Sequence, residues 1–141
     1  GQEGQPVHEP VDLLGLAAEE GARVGADAGG EPLTVAGEER LLRRALRNLV
    51  ENARRYGGQA VEVTVRREGA EAVVQVADRG PGVPEAYRER IFEPFFRLPG
   101  HAEREGGVGL GLALVRQIAE AHRGRVACTP REGGGSVFSQ R

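Results

Sequence analysis

The chain of 141 residues contains no lysine, no methionine and no tryptophan, and its single cysteine is Cys128. All 19 basic residues are therefore arginine. Without lysine neither the phosphate-binding P-loop nor the protein-kinase ATP site can be built, because each places a lysine at the phosphates. A lone cysteine excludes an internal disulfide and any metal centre made of several thiolates, and it fits a reducing compartment. No apolar run approaches the roughly 20 residues of a membrane span, and no signal peptide is visible. The missing initiator methionine reads as an excised fragment. With a net charge of −2 and a pI near 6.0, the chain lacks the clustered basic surface that nucleic acid would require. Its length is that of one domain with one apolar core.

Asparagine is also scarce: Asn48 and Asn52 are the only two, and they stand one helical turn apart. Residues 1 to 10, with Pro6 and Pro10, read as a linker, and 11 to 141 as the folded domain. VDLLGLAAEEGAR predicts a short strand and a helix, DAGGE at 27 to 31 a turn, and PLTVAG at 32 to 37 a strand. Gly37, Glu38 and Glu39 open a helix with carboxylates opposing the dipole. That helix runs to about residue 56, with Leu41, Leu42, Ala45, Leu46, Leu49, Val50 and Ala53 on one apolar face, and Gly57 and Gly58 stop it. Asn48, Asn52 and Tyr56 fall on one shoulder of this face.

VEVTVRR at 61 to 67 and AVVQVAD at 72 to 78 alternate as a hairpin around the turn at Glu68 and Gly69. The two-residue period puts Asp78 on the face of Val74 and Val76, where a charge is costly unless a donor meets it. A short helical stretch from Glu85 to Arg90 leads to the aromatic cluster IFEPFFR. PGHAEREGG at 99 to 107 has no apolar period and reads as a mobile loop. LGLALVRQIAEAH at 110 to 122 is an amphipathic helix starting directly after glycines, RVACT is a strand, and GGGSVF at 133 to 138 begins another.

Three polar elements bear chemistry. An amide pair inside a helix is unusual, because asparagine favours caps and turns. Asp78 opens DRGPG, where a carboxylate can bond its own loop. GGVGLGL at 106 to 112 sets backbone amides and a helix N-terminus where they can hold an anion. It is not a dinucleotide fingerprint, since Leu112 stands where glycine is needed. Each element alone has an ordinary structural explanation: a core rim, an aspartate turn, a flexible loop.

Taken in order, the segments resemble the boxes of the catalytic domain of bacterial sensor histidine kinases. Asn48 to Tyr56 is similar to the N box, Asp78 to Gly82 to the G1 box, Phe92 to Phe96 to the F box, Gly107 to Leu112 to the G2 box, and GGGSVF to the last glycine box. The resemblance runs from about Val11 to Phe138. It implies the ATP-binding fold shared with gyrase-type, heat-shock chaperone and mismatch-repair ATPases. That fold is an α+β two-layer sandwich with a mixed, mainly antiparallel sheet of about five strands covered on one face by about three helices.

The resemblance also implies roles. Asp78 would accept from the adenine amino group, Ser136 would support the same base, and Gly80 and Gly82 would let the backbone approach it. Asn52 would coordinate Mg²⁺ with help from Asn48, Arg55 would meet the phosphates, and Tyr56 would lie along the nucleotide. Gly107, Gly109, Leu110, Gly111 and Leu112 would frame the phosphates, and residues 99 to 106 would form the lid over ATP. Glu51 is a neighbouring carboxylate able to assist proton removal, or equally an i, i+4 partner of Arg55. Arg43, Arg54 and His101 read as solvated, and His122 as a helix-end residue explained by the dipole. Phe92, Phe95 and Phe96 stand open between core and a hinge for a partner domain.

Gyrase-type hydrolases carry a water-activating glutamate where this helix has Asn48. Its absence fits phosphoryl transfer, which relies on positioning and charge neutralisation. The activity that the resemblance implies is transfer of the ATP γ-phosphate to a histidine, for relay to a response-regulator aspartate. His8 lacks the family's acceptor context, so the acceptor is expected upstream, in a dimerising helical domain. The full protein would be a homodimeric membrane sensor with this domain in the cytoplasm. The alternatives are a gyrase- or chaperone-type ATPase, a serine kinase of the anti-sigma type, and a nucleotide-sensing module without catalysis.

Overall fold

The computed structural model describes residues 8–57, 60–99, 110–130 and 136–140, the last group through its backbone only. Two strands, β1 (Glu9–Asp12) and β3 (Thr34–Gly37), form a small antiparallel sheet with Glu9 opposite Gly37. Glu9 and Pro10 thus lie in a strand inside the stretch read as linker. The main sheet has the order β2 (Asp27–Gly30), β4 (Glu62–Glu68), β5 (Glu71–Ala77), β7 (Ser136–Gln140), β6 (Val126–Pro130). Only β2 and β4 run parallel; the other three pairs are antiparallel.

β2 corrects the sequence reading, which made DAGGE a turn. An exposed glycine-rich run carries no apolar alternation, yet at a sheet edge it needs none. Gly30 shows why the residue is small: at φ 127 it lies so close to β4 that a Cβ would strike the Val65 carbonyl.

Three helices cover the sheet: α1 (Leu13–Ala22), α2 (Glu39–Gly57) and α3 (Gly111–Ala121). Asp12 caps α1, its side chain accepting from the Gly15 amide. The α2 stripe is buried at Leu42, Ala45, Leu46, Leu49, Val50 and Ala53, with Leu41 at its margin. It meets Val63 and Val65 of β4 and Val74 and Val76 of β5 in one core, while Glu62 and Thr64 face out, as alternation requires. Cys128 forms no disulfide and is buried in the same core.

Residues 85 to 92 form two short 3₁₀ turns, Glu85–Tyr87 and Arg90–Phe92. The aromatic cluster divides there. Phe92 is core at 5% exposure, and Phe96 is half-buried between the Tyr87 ring, 5.7 Å away, and the Arg90 guanidinium, 4.8 Å from its centroid. Phe95 is 70% exposed on a left-handed backbone of φ 66.

Candidate nucleotide site

The amide pair lies where the helical period puts it. Asn48 and Asn52 are half-buried on α2, Tyr56 follows on the same shoulder, and Glu51, Arg54 and Arg55 are exposed. Asn48 reaches out of its own helix: its Nδ2 donates to the Gly111 carbonyl at the start of α3, 3.3 Å away. The asparagine helix and the glycine-initiated helix, 63 positions apart, are therefore in contact. With Nδ2 so engaged, the Asn48 carbonyl oxygen is left as an acceptor. No ion pair joins Glu51 to Arg55 among the described residues; the Glu51 charge acts on Arg47 one turn back.

α3 begins without a side-chain cap and without an acidic residue in its first turn. Its first amides and its dipole form a positive end. Leu110 and Gly111 are exposed there, and Leu112 is half-buried. Gly107, Gly109 and the loop at 100 to 106 lie outside the described residues, as does His101.

Asp78 follows β5 and is only 4% exposed, with the Gly80 amide donating to its Oδ1 at 2.9 Å. The aspartate turn foreseen as its ordinary explanation is thus formed, and Gly82 in the same loop takes φ 80. The loop is brought to the asparagine helix by connectivity. α2 ends at Gly57, and a short link returns the chain to Glu62, which pairs with Ala77 beside Asp78. On the other side, β7 pairs Val137 with Ala77. Extending that antiparallel register by one position sets the backbone of Ser136 next to Asp78. The Ser136 side chain is outside the described part.

Two groups escaped the sequence reading. Glu20 on α1 is buried to 1% exposure, and Arg47 Nε and Arg43 Nη1 each meet its carboxylate at 2.8 Å, with Arg23 at 3.5 Å. Burial pushes this carboxyl up, but the hydrogen bonds from Arg47 and Arg43 outweigh it and hold the group below its ordinary value. Arg43, expected to be solvated, instead bridges Glu19 and Glu20. The signal was present: Leu13, Leu16, Ala17 and Glu20 share one helical face, so Glu20 sits on the buried stripe. His122, assigned to a dipole effect, makes two specific hydrogen bonds, its Nε2 accepting from the Glu38 amide at 3.1 Å and its Nδ1 lying 2.8 Å from the Ile118 carbonyl.

The family model of histidine kinase-, DNA gyrase B- and HSP90-like ATPases matches residues 37–141. The chain belongs to that family, on its sensor histidine kinase branch as the ATP-binding catalytic domain. It is 42% identical to the sensor protein CutS of Streptomyces coelicolor over 92% of this chain and 34% of that protein. To the sensor protein RstB of Escherichia coli it is 48% identical over 71% of this chain and 23% of RstB. Among solved structures, the mycobacterial sensor histidine kinase MprB superposes with a TM-score of 0.78 at 29% identity, covering 94% of this chain and 95% of that one. The ATP-binding domain of PrrB from Mycobacterium tuberculosis gives 0.75 at 31% identity, with 96% of each chain covered. The chain spans about a third of the length of CutS. No described helix is long and apolar enough to cross a membrane.

Proposed function

We propose that this domain binds Mg-ATP between α2, the Asp78 loop and the start of α3, and passes the γ-phosphate to a histidine on a helical domain of the same protein. The observation that carries the reading is the Asn48–Gly111 contact. It joins a helix bearing amide oxygens to the positive end of another, the two kinds of group that metal and phosphate need.

Asp78 accepts from the adenine amino group while keeping its bond from Gly80, and the adjoining Ser136 supports the same base. Guanine, which presents a carbonyl at that point, is rejected. Gly80 and Gly82 let the backbone approach the ring, and Tyr56 lies along the nucleotide. The chemistry of the donor set fits magnesium: Asn52, with Asn48, offers neutral amide oxygens, which suit a hard ion that keeps several waters. When bound, the ion neutralises phosphate charge. Arg55 adds a fixed cation, and Gly107, Gly109, Leu110, Gly111 and Leu112 give backbone amides to the phosphate oxygens.

Asn48 cannot take a proton from water, so the site favours transfer over hydrolysis. Glu51, exposed one position before Asn52, is the carboxylate available to an incoming acceptor. The acceptor domain, its dimerisation and the receiving response-regulator aspartate belong to the longer membrane sensor from which this domain comes. The deciding experiment mixes the chain with that helical domain and labelled Mg-ATP. Acid-labile phosphohistidine is the expected product. Rapid ATP hydrolysis by the isolated chain would instead place it with the gyrase-type hydrolases, and acid-stable phosphoserine with the serine kinases.

A further inference from the structure

α3 runs antiparallel to α2 and is tied to it at both of its own ends. At one end Asn48 holds the Gly111 carbonyl; at the other the Glu38 amide, just before α2, donates to His122 Nε2 just after α3. The two ties are about 15 Å apart along either helix. Because the Ile118 carbonyl can only accept, Nδ1 carries the proton and Nε2 is the lone-pair nitrogen that the Glu38 amide needs. The imidazole thus serves as the N-terminal cap of α2 while closing the last turn of α3.

Gly37 makes room for it. A Cβ at that position would stand 2.9 Å from His122 Cδ2 and 3.1 Å from Nε2. The same Cβ would stand 2.9 Å from Leu42 Cδ1, so position 37 has to be small for both the ring and the Leu42 side chain to lie where they do. Sequence proximity has no part in this contact, since residues 38 and 122 are 84 positions apart.

Resting on the nucleotide reading above, we propose that His122 is a positioning residue: by pinning the far end of α3 to the start of α2, it fixes where the Gly111 end of α3 meets Asn48 and the phosphates. It touches no nucleotide. Its effect should fall on phosphate recognition through α3 and spare adenine recognition through Asp78, which directly follows β5.

The test uses the whole chain and the variants His122→Ala, His122→Gln, Gly37→Ala and the Gly37→Ala/His122→Ala double. Affinities for Mg-ATP and for adenosine are measured together with the side-chain amide signals of Asn48 in nitrogen-15 spectra. His122→Ala should weaken Mg-ATP about tenfold, the scale on which supporting residues act, and leave adenosine within about twofold. His122→Gln, whose amide oxygen can accept from Glu38, should recover most of the loss. Gly37→Ala should reproduce the loss of Mg-ATP affinity, with a further cost in stability at Leu42, and the double should bind Mg-ATP no more weakly than His122→Ala, because both act on affinity through one contact.

Wild-type Mg-ATP affinity in His122→Ala, with unmoved Asn48 signals, overturns the proposal. Equal loss of ATP and adenosine also overturns it, since that is what a merely destabilised domain would show. Should His122→Ala not fold, His122→Gln and Gly37→Ala carry the same comparison. If the wild-type chain itself binds no Mg-ATP, the nucleotide reading falls, and the Asn48 signals alone decide whether His122 sets the α3 register.

Discussion

In the first half of α2, Arg43 and Arg47 close on the buried Glu20, and the amide of Glu38 ends on the His122 ring. In the second half, Asn52 and Arg55 make no hydrogen bond or ion pair to another described residue, and the one bond of Asn48 crosses to α3. The same helix thus presents arginines that look interchangeable in sequence but meet different surroundings. Arg43 and Arg47 answer a carboxylate that could not be buried without them. Arg55 stands exposed at the end where we propose that the nucleotide binds. Internal satisfaction separates what holds the fold from what, in the proposed function, is kept for a ligand.

The comparison breaks most visibly at Asn52. Asn52→Ala should lower Mg-dependent ATP affinity by about 100-fold or more, equivalent to about 3 kcal/mol. The melting temperature of the ligand-free domain should stay where it is, since no described residue loses a hydrogen bond or ion pair partner. Calorimetric titration with and without magnesium reads the first, and thermal unfolding the second. Unchanged affinity would remove the metal role and leave Asn52 an ordinary rim residue.

Asp78 sharpens the contrast, because it belongs to both kinds. Its carboxylate already serves the Gly80 amide, and the proposal gives it adenine as well. Asp78→Asn keeps an oxygen for Gly80 but loses the charge, so adenine binding should weaken by about 2 kcal/mol, the worth of a hydrogen bond to an ionised group. Selectivity for ATP over GTP should shrink in parallel. Equal binding of ATP and GTP by the wild type would contradict the assignment.

Much of this was legible in the residues. The α2 stripe, the hairpin at 61 to 78 and the inward aim of Asp78 follow from periods of 3.6 and 2, which need only neighbours in sequence. The relative order of the polar boxes gave the family. What stayed hidden depends on contacts across the chain. β2 is a strand because β4 lies beside it, not because of its own glycines. Arg43 and His122 looked idle because their partners, Glu20 and Glu38, lie on other elements. Phe95 and Phe96 are adjacent, yet a left-handed backbone turns one outward and leaves the other against Tyr87.

Glu20 tests the opposite side of the comparison, with the smallest expected effect. Glu20→Gln should cost on the order of 1 to 2 kcal/mol of stability at pH 7 and leave Mg-ATP affinity unchanged, because Arg43 and Arg47 face away from the Asn48 shoulder and can reach water. The wild-type carboxyl is held below its ordinary value in the folded state. The unfolded chain therefore takes up the proton first, and the stabilisation is complete above the ordinary glutamate range. It is lost as pH falls through the folded value, which lies below the ordinary glutamate range. Urea unfolding should show the gap between wild type and Glu20→Gln narrowing over that window. A gap independent of pH would mean that the side chain serves by packing alone, and the division of α2 into a satisfied and a waiting half would rest on shape and not on charge.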